Sequence, residues 1–252
     1  MNVLVLNIKT VPDVQSARKL YALEGLQDKE VENVLYHKRM QETEANNLLF
    51  HLNQVVSIGV CLRTDGSFFS RSLMSPQMSE KEMLAILFDM KKENINKVIS
   101  WNGDNFDIPI LQYRALLHGV NSKSICNWTE LTEADDAVPQ HVSLSDIFFG
   151  DNQPAQAPLD EVAAMLGFPT IESESKSIVW DAYQNGDMKN IHKHCSYDVL
   201  NTYLVYLRCL LTANEISDNE YEQEINLVKT SLHESNTSHF NVFVDNWEMN
   251  DG

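Results

Sequence analysis

Residues Val3 to Ile8 read Val-Leu-Val-Leu-Asn-Ile, an apolar run short enough to be one buried strand. A strand of that composition offers almost no polar face to water, so the natural inference is a central strand on which a sheet is founded. Residues 13 to 50 are polar and helix-compatible, and Gln54 to Leu62 follows as a second strand. Thr64-Asp-Gly-Ser67 then supplies a hairpin signal before a third strand at Phe68 to Leu73, because Asp-Gly tolerates the positive φ of a tight turn. The chain thus opens with three strands, the last two antiparallel.

Ser79 precedes Glu82 at capping-box spacing, and Met83, Leu84, Leu87 and Met90 share one helical face. Lys97 to Trp101 reads as a strand that runs into Asn102-Gly-Asp-Asn-Phe-Asp107, and Ile110 to His118 as a helix closed by Gly119. That order puts the polar loop at a strand's carboxyl end, where open α/β sheets form their ligand sites. Residues 121 to 140, with the acidic cluster Glu130 to Asp136, read as a surface excursion. Val142 to Phe149 is expected as the last strand, and Leu159 to Leu166 as an amphipathic helix stopped by Gly167. Met188 to Leu211 is two helical stretches or one interrupted helix, carrying His194 and Asp198. From residue 212 an acidic C-terminal region is expected to form a final helix and then a mobile tail to residue 252.

The balance of charge narrows the function. Over 252 residues, 36 Asp and Glu face 19 Lys and Arg, a formal net charge of -17. No global cationic field draws in phosphate backbones, so nucleic-acid contact requires a local patch. Acidity does not exclude a nuclease, whose site needs carboxylates. Cys61, Cys126, Cys195 and Cys209 form no CxxC pair, which argues against a zinc ribbon and for reduced thiols. The opening residues lack a basic n-region, and no stretch approaches the length of a membrane span, so the expectation is a soluble cytoplasmic protein with no membrane partner.

Three islands carry the chemistry: Asn7-Ile-Lys-Thr-Val-Pro-Asp13, Ser100-Trp-Asn-Gly-Asp-Asn-Phe-Asp-Ile-Pro-Ile-Leu111 and His194-Cys-Ser-Tyr-Asp-Val-Leu-Asn-Thr-Tyr203. Together they resemble the three motifs of the DEDD superfamily of 3'-5' exonucleases, most closely the predicted exonucleases related to the proofreading domain of family B DNA polymerases. Tyr113 to Gly119, Pro158 to Pro169 and Val199 to Arg208 extend the likeness, which covers roughly residues 1 to 211. The resemblance implies an α/β, RNase H-like fold: a mixed five-stranded sheet, its first three strands antiparallel, flanked by helices. It also implies that four carboxylates hold two divalent ions, Mg2+ or Mn2+, which drive phosphodiester hydrolysis at single-stranded 3' ends of DNA or RNA.

Residue by residue, the family's site is only half present. Asn7 stands for the first aspartate and Lys9 for the glutamate, Asp107 and Asp198 keep the second and third positions, and His194 replaces the tyrosine. These acidic and basic side chains carry one net negative charge, against four in an intact set. Asp107 and Asp198 therefore hold at most one ion weakly. Residues 7 and 9 share a strand face, so Lys9 is expected to enter the site and pair with Asp198 or Asp107 in place of a metal. Asp107 alternatively serves only as a helix N-cap, and His194 and Asp198 form an i, i+4 pair that is either structural or water-positioning. Asn102 belongs to the second motif; Trp101, Phe106 and Tyr113 either stack a terminal base or fill the core, while Arg114 or Lys123 touches phosphate. Ser143 stands where relatives tend to have an aspartate. Three readings follow: an inert member kept for binding nucleic acid or protein, a rewired nuclease, or a competent enzyme carrying inactivating changes at 7 and 9. The acidic C-terminal region is either a solubilising surface or the docking site of a basic protein.

Overall fold

The structure is a computed structural model that describes residues 1–43, 47–90, 95–126, 139–150, 156–171 and 176–250. The expected acidic excursion at Glu130 to Asp136 lies outside these residues.

Five strands form one mixed sheet in the order β3-β2-β1-β4-β5. They are β1 (Val3–Pro12), β2 (Asn53–Thr64), β3 (Ser67–Met74), β4 (Lys97–Ser100) and β5 (Gln140–Ser143). β1 pairs antiparallel with β2 and β2 antiparallel with β3, whereas β1–β4 and β4–β5 are parallel. The β2–β3 ladder ends at the pair Thr64 and Ser67, leaving Asp65 and Gly66 as a two-residue turn in which Gly66 takes φ +84°. That positive φ is the reason a glycine stands there.

β1 is central and buried on both sides, as its apolar run requires. Val3 and Val5 join one core with helix α8 (Met188–Thr212), while Leu4, Leu6 and Ile8 join the other. The second core is closed by α3 (Glu80–Asp89) and α4 (Asp107–His118). Ser79 and Glu82 form the expected capping box at the start of α3, and Gly119 closes α4 at φ +61°. A third cluster joins the end of β1 to α1 (Val14–Tyr21), α2 (Asp28–Thr43) and α7 (Lys176–Gln184). α8 presses directly on β2 at Gly59, where any Cβ would lie 2.7 Å from the Cys195 carbonyl oxygen.

Four expectations change. The last strand stops at Ser143, and Leu144–Phe149 is the short helix α5. The Ser145 amide donates to the Trp101 carbonyl at 2.8 Å, so the chain has already left the ladder. So short an apolar run does not distinguish strand from helix by itself. α6 (Leu159–Met165) falls where expected, but α8 is one uninterrupted helix of 25 residues. After α9 (Asp218–Glu234) the chain is not a tail, because Ser238–Asn250 forms α10. Phe240, Phe243, Val244 and Trp247 lie at i, i+3, i+4 and i+7 and are all buried in the same core as α8. Finally, Phe106 occupies the N-cap of α4 and Asp107 its first turn, so Asp107 is not the cap.

The acidic start of the C-terminal region has a structural use. Ser217 and Glu220 make a second capping box, Asp218 and Glu220 sit in the first turn of α9, and Glu224 accepts from Arg63 of β2 at 2.6 and 2.8 Å. Acidic side chains at a helix N-terminus oppose the positive end of its dipole. Among the described residues no helix is long and apolar enough to cross a membrane.

Candidate nuclease site

The carboxyl-terminal half of β1, the loop after β4 and the middle of α8 meet in a cleft. One cavity of about 230 Å3 is bordered by Asn7, Lys9, Tyr36, Trp101, Asn102, Phe106, Asp107 and Asp198. A second, of about 200 Å3, is bordered by Lys9, Leu159, His194, Tyr197, Asp198 and Asn201. Lys9 and Asp198 are the two residues common to both. The structure therefore gathers Asn7, Lys9, Asp107, Asp198 and His194 around one opening.

The alternation of β1 turns Asn7 and Lys9 to the same side while Ile8 enters the core between them. Lys9 Nζ lies 2.8 Å from Asp198 Oδ2, so it pairs with Asp198, one of the two partners open to it from sequence. The Asn7 amide oxygen lies 3.9 Å from the Cys195 thiol sulfur. Burial pushes that thiol up to about 12, so it stays protonated.

Asp107 is 4% exposed, and its Oδ1 accepts the Ile8 amide N–H at 3.1 Å. Burial pushes its carboxyl up to about 7. The Ile8 and Asp107 amides pull it down, nearby Asp198 adds to the rise, and Lys9 opposes it. His194 is held below the ordinary histidine value first by burial and then by Lys9, with Asp198 working in the opposite sense. Both burial and Lys9 thus favour the neutral imidazole.

The loop carrying Asn102 and Phe106 is stitched down by side chains. The Asn102 amide oxygen accepts from Asn105 at 3.2 Å and from Ser145 at 3.4 Å. Ser143 hydrogen-bonds the Trp101 carbonyl oxygen at 3.3 Å. Ser100, His141 and Asp104 stand in line, with Oγ to Nε2 and Nδ1 to Oδ1 each 2.9 Å. That is the order of a nucleophile, base and orienting acid, but Ser100 is fully buried. A Cβ on Gly103 would overlap both Ser100 Oγ and the His141 ring. The relay is a clamp under the loop, with no route for a substrate to the hydroxyl.

Two expected nucleic-acid contacts fall elsewhere. Arg114 is 3% exposed; it donates to Glu80 Oε1 at 2.7 Å and also binds Asp13. A guanidinium spent on two buried carboxylates has nothing to offer a phosphate. Lys123 borders a separate cavity with Phe88 and Val120. Trp101 is 8% exposed, so its ring is chiefly core although it borders the cleft. Tyr36 of α2, together with Tyr197 and Asn201 of α8, was not foreseen at the cleft. Tyr36 lies far in sequence from the motifs and left no local signal, whereas Tyr197 and Asn201 lie inside the third island and His141 stands two residues before Ser143, so these were legible only as neighbours.

The donor set does not fit two divalent ions. Mg2+ needs near-octahedral oxygen ligands at about 2.0 to 2.1 Å, and an ammonium has no lone pair to give. Asp198 is already paired with that ammonium, and Asp107 is a buried carboxyl that burial pushes up to about 7. Among the described residues no group of three or more His, Cys, Asp and Glu gathers to hold a metal.

No curated protein matches the chain. Among solved structures, the family B DNA polymerase of the hyperthermophilic archaeon Pyrobaculum calidifontis is similar over 84% of this chain at 15% identity, with a TM-score of 0.55. The chain spans 24% of that polymerase's length, and at this identity the likeness concerns the fold. A family model, the predicted 3'-5' exonucleases related to the exonuclease domain of PolB, matches residues 46–247. The match runs from just before β2 into α10 and thus includes the second and third motifs, with β1 outside it. With that span of sequence and a polymerase-like exonuclease fold around the cleft, the chain belongs to the predicted 3'-5' exonucleases related to the exonuclease domain of PolB.

Proposed function

We propose that this chain keeps the exonuclease fold and cleft of its family but not effective phosphodiester hydrolysis. In active relatives the resemblance implies two divalent ions at this point. Here a lysine ammonium takes their role as counter-charge. The observation that carries the reading is the 2.8 Å pair between Lys9 Nζ and Asp198 Oδ2, the two residues that border both cavities. The test is incubation of pure protein with 3'-labelled single-stranded DNA and RNA in Mg2+ or Mn2+. The expected result is no release of label above a heat-treated control. Metal-dependent degradation that Asp198→Ala abolishes would overturn the proposal.

A binding role for the old cleft is favoured by its shape. Tyr36 and Phe106 border an open cavity, and the inward-held oxygen of Asn102 leaves its amide N–H groups for a ligand. Titration with a 3'-ended single strand at low and high salt tests this use. Binding weakened by Phe106→Ala supports it. Saturable binding of a basic protein that ignores Phe106→Ala favours the acidic C-terminal region as the docking site instead.

A further inference from the structure

The two departures at the end of β1 differ in what they do to the cleft. Asn7 replaces a carboxylate by an amide, which loses one negative charge but keeps an oxygen at the cavity wall. Lys9 removes an oxygen donor and adds a positive charge at the same point. Its ammonium reaches Asp198 Oδ2 at 2.8 Å, and these two residues are what the cavities have in common. A divalent ion bound between Asp107 and Asp198 would have to displace a cation already tethered there.

Tethering decides that competition. A group on a short flexible linker acts at an effective concentration on the order of millimolar or more, and the lysine side chain cannot diffuse away. With Lys9 present, its ammonium opposes any cation approaching the Asp107 and Asp198 carboxyls. Without it those two carboxyls and the Asn7 amide leave three oxygen-bearing side chains, enough for one ion that completes its shell with water. Among the described residues the Asn7 amide oxygen meets a thiol sulfur at 3.9 Å, a long contact and a weak competitor for a cation.

Resting on the function proposed above, we infer that Lys9 by itself excludes divalent cations, closing a latent cation site made by Asp107, Asp198 and the Asn7 amide oxygen. The loss of the first-motif aspartate is secondary.

The test compares the wild-type chain with Lys9→Ala, Lys9→Gln and Asn7→Asp by titration calorimetry with Mn2+ and by thermal melting across a Mn2+ series. Lys9→Gln retains most of the side chain's bulk if the alanine variant folds poorly. Both Lys9 variants are expected to bind Mn2+ at least tenfold more tightly than wild type and to melt higher as Mn2+ is added. Asn7→Asp, which keeps the ammonium, stays within threefold of wild type, and adding Asp198→Asn to Lys9→Gln removes the gain. Folded Lys9 variants indifferent to Mn2+, or an equal gain in Asn7→Asp alone, would overturn the inference while leaving the chain inert. Tight Mn2+ binding and hydrolysis by the wild-type chain would overturn the functional proposal instead.

Discussion

Replacing Asp107 by asparagine should stabilise this protein at neutral and alkaline pH. The Asp107 carboxyl is buried and pushed from an ordinary 3.8 up to about 7. A carboxyl whose folded value lies above its unfolded one makes the folded state the better proton binder between those two values. Stability therefore falls as pH rises from 4 to 7 and levels off above. Each tenfold change in proton affinity is worth about 1.4 kcal/mol, so the full cost at pH 8 has a ceiling of about 4 kcal/mol. The substituted amide would keep an Oδ1 to accept the Ile8 N–H and would carry no charge to bury. The lost attraction to Lys9 and the lost repulsion from Asp198 act in opposite directions. The expected gain is about 2 to 4 kcal/mol at pH 8, which for a chain of this size raises the melting temperature by about 5 to 15 °C. It shrinks to nothing near pH 4. Urea unfolding of both proteins at pH 8, 6 and 4.5 reads the difference directly. A variant no more stable than wild type at pH 8, or two stability profiles that run parallel across the range, would refute the reasoning.

Arg114→Met should cost about 3 to 5 kcal/mol in urea unfolding at pH 7, because it leaves the buried Asp13 and Glu80 carboxylates without their guanidinium; a loss under about 1 kcal/mol would mean that Ser16 beside Asp13 and His118 beside Glu80 suffice to hold them. Trp247→Ala should cost about 3 to 5 kcal/mol and make α10 the first site of limited proteolysis, since Trp247 packs edge-on against Phe168 and Phe243. First cleavage elsewhere would show that α10 docks through other contacts.

What could be read before the fold was known follows from how locally each feature is encoded. The central position of β1 is written in its own six apolar-rich residues, and the β2–β3 turn in Asp65-Gly66. The start of α3 is written in Ser79 and Glu82. α10 carried an equally local signal in Phe240, Phe243, Val244 and Trp247, but the Asn and Ser residues around it read as tail composition. Arg114 is the opposite case. Nothing near it in sequence distinguishes a guanidinium facing a phosphate from one closed between α3 and the start of α1.

The cleft divides in the same way. Sequence alone determined that Asn7 and Lys9 stand where the resemblance implies two carboxylates, and that Lys9 shares a face with Asn7, because strand alternation depends only on counting residues. It also determined that aspartates, Asp107 and Asp198, stand at the other two positions that the resemblance implies. Only tertiary structure decided that the ammonium meets Asp198, that burial pushes the Asp107 carboxyl up to about 7, and that the pair borders both cavities. Those outcomes depend on distances between segments nearly two hundred residues apart and on how much water the packing leaves between them, neither of which a linear spacing contains.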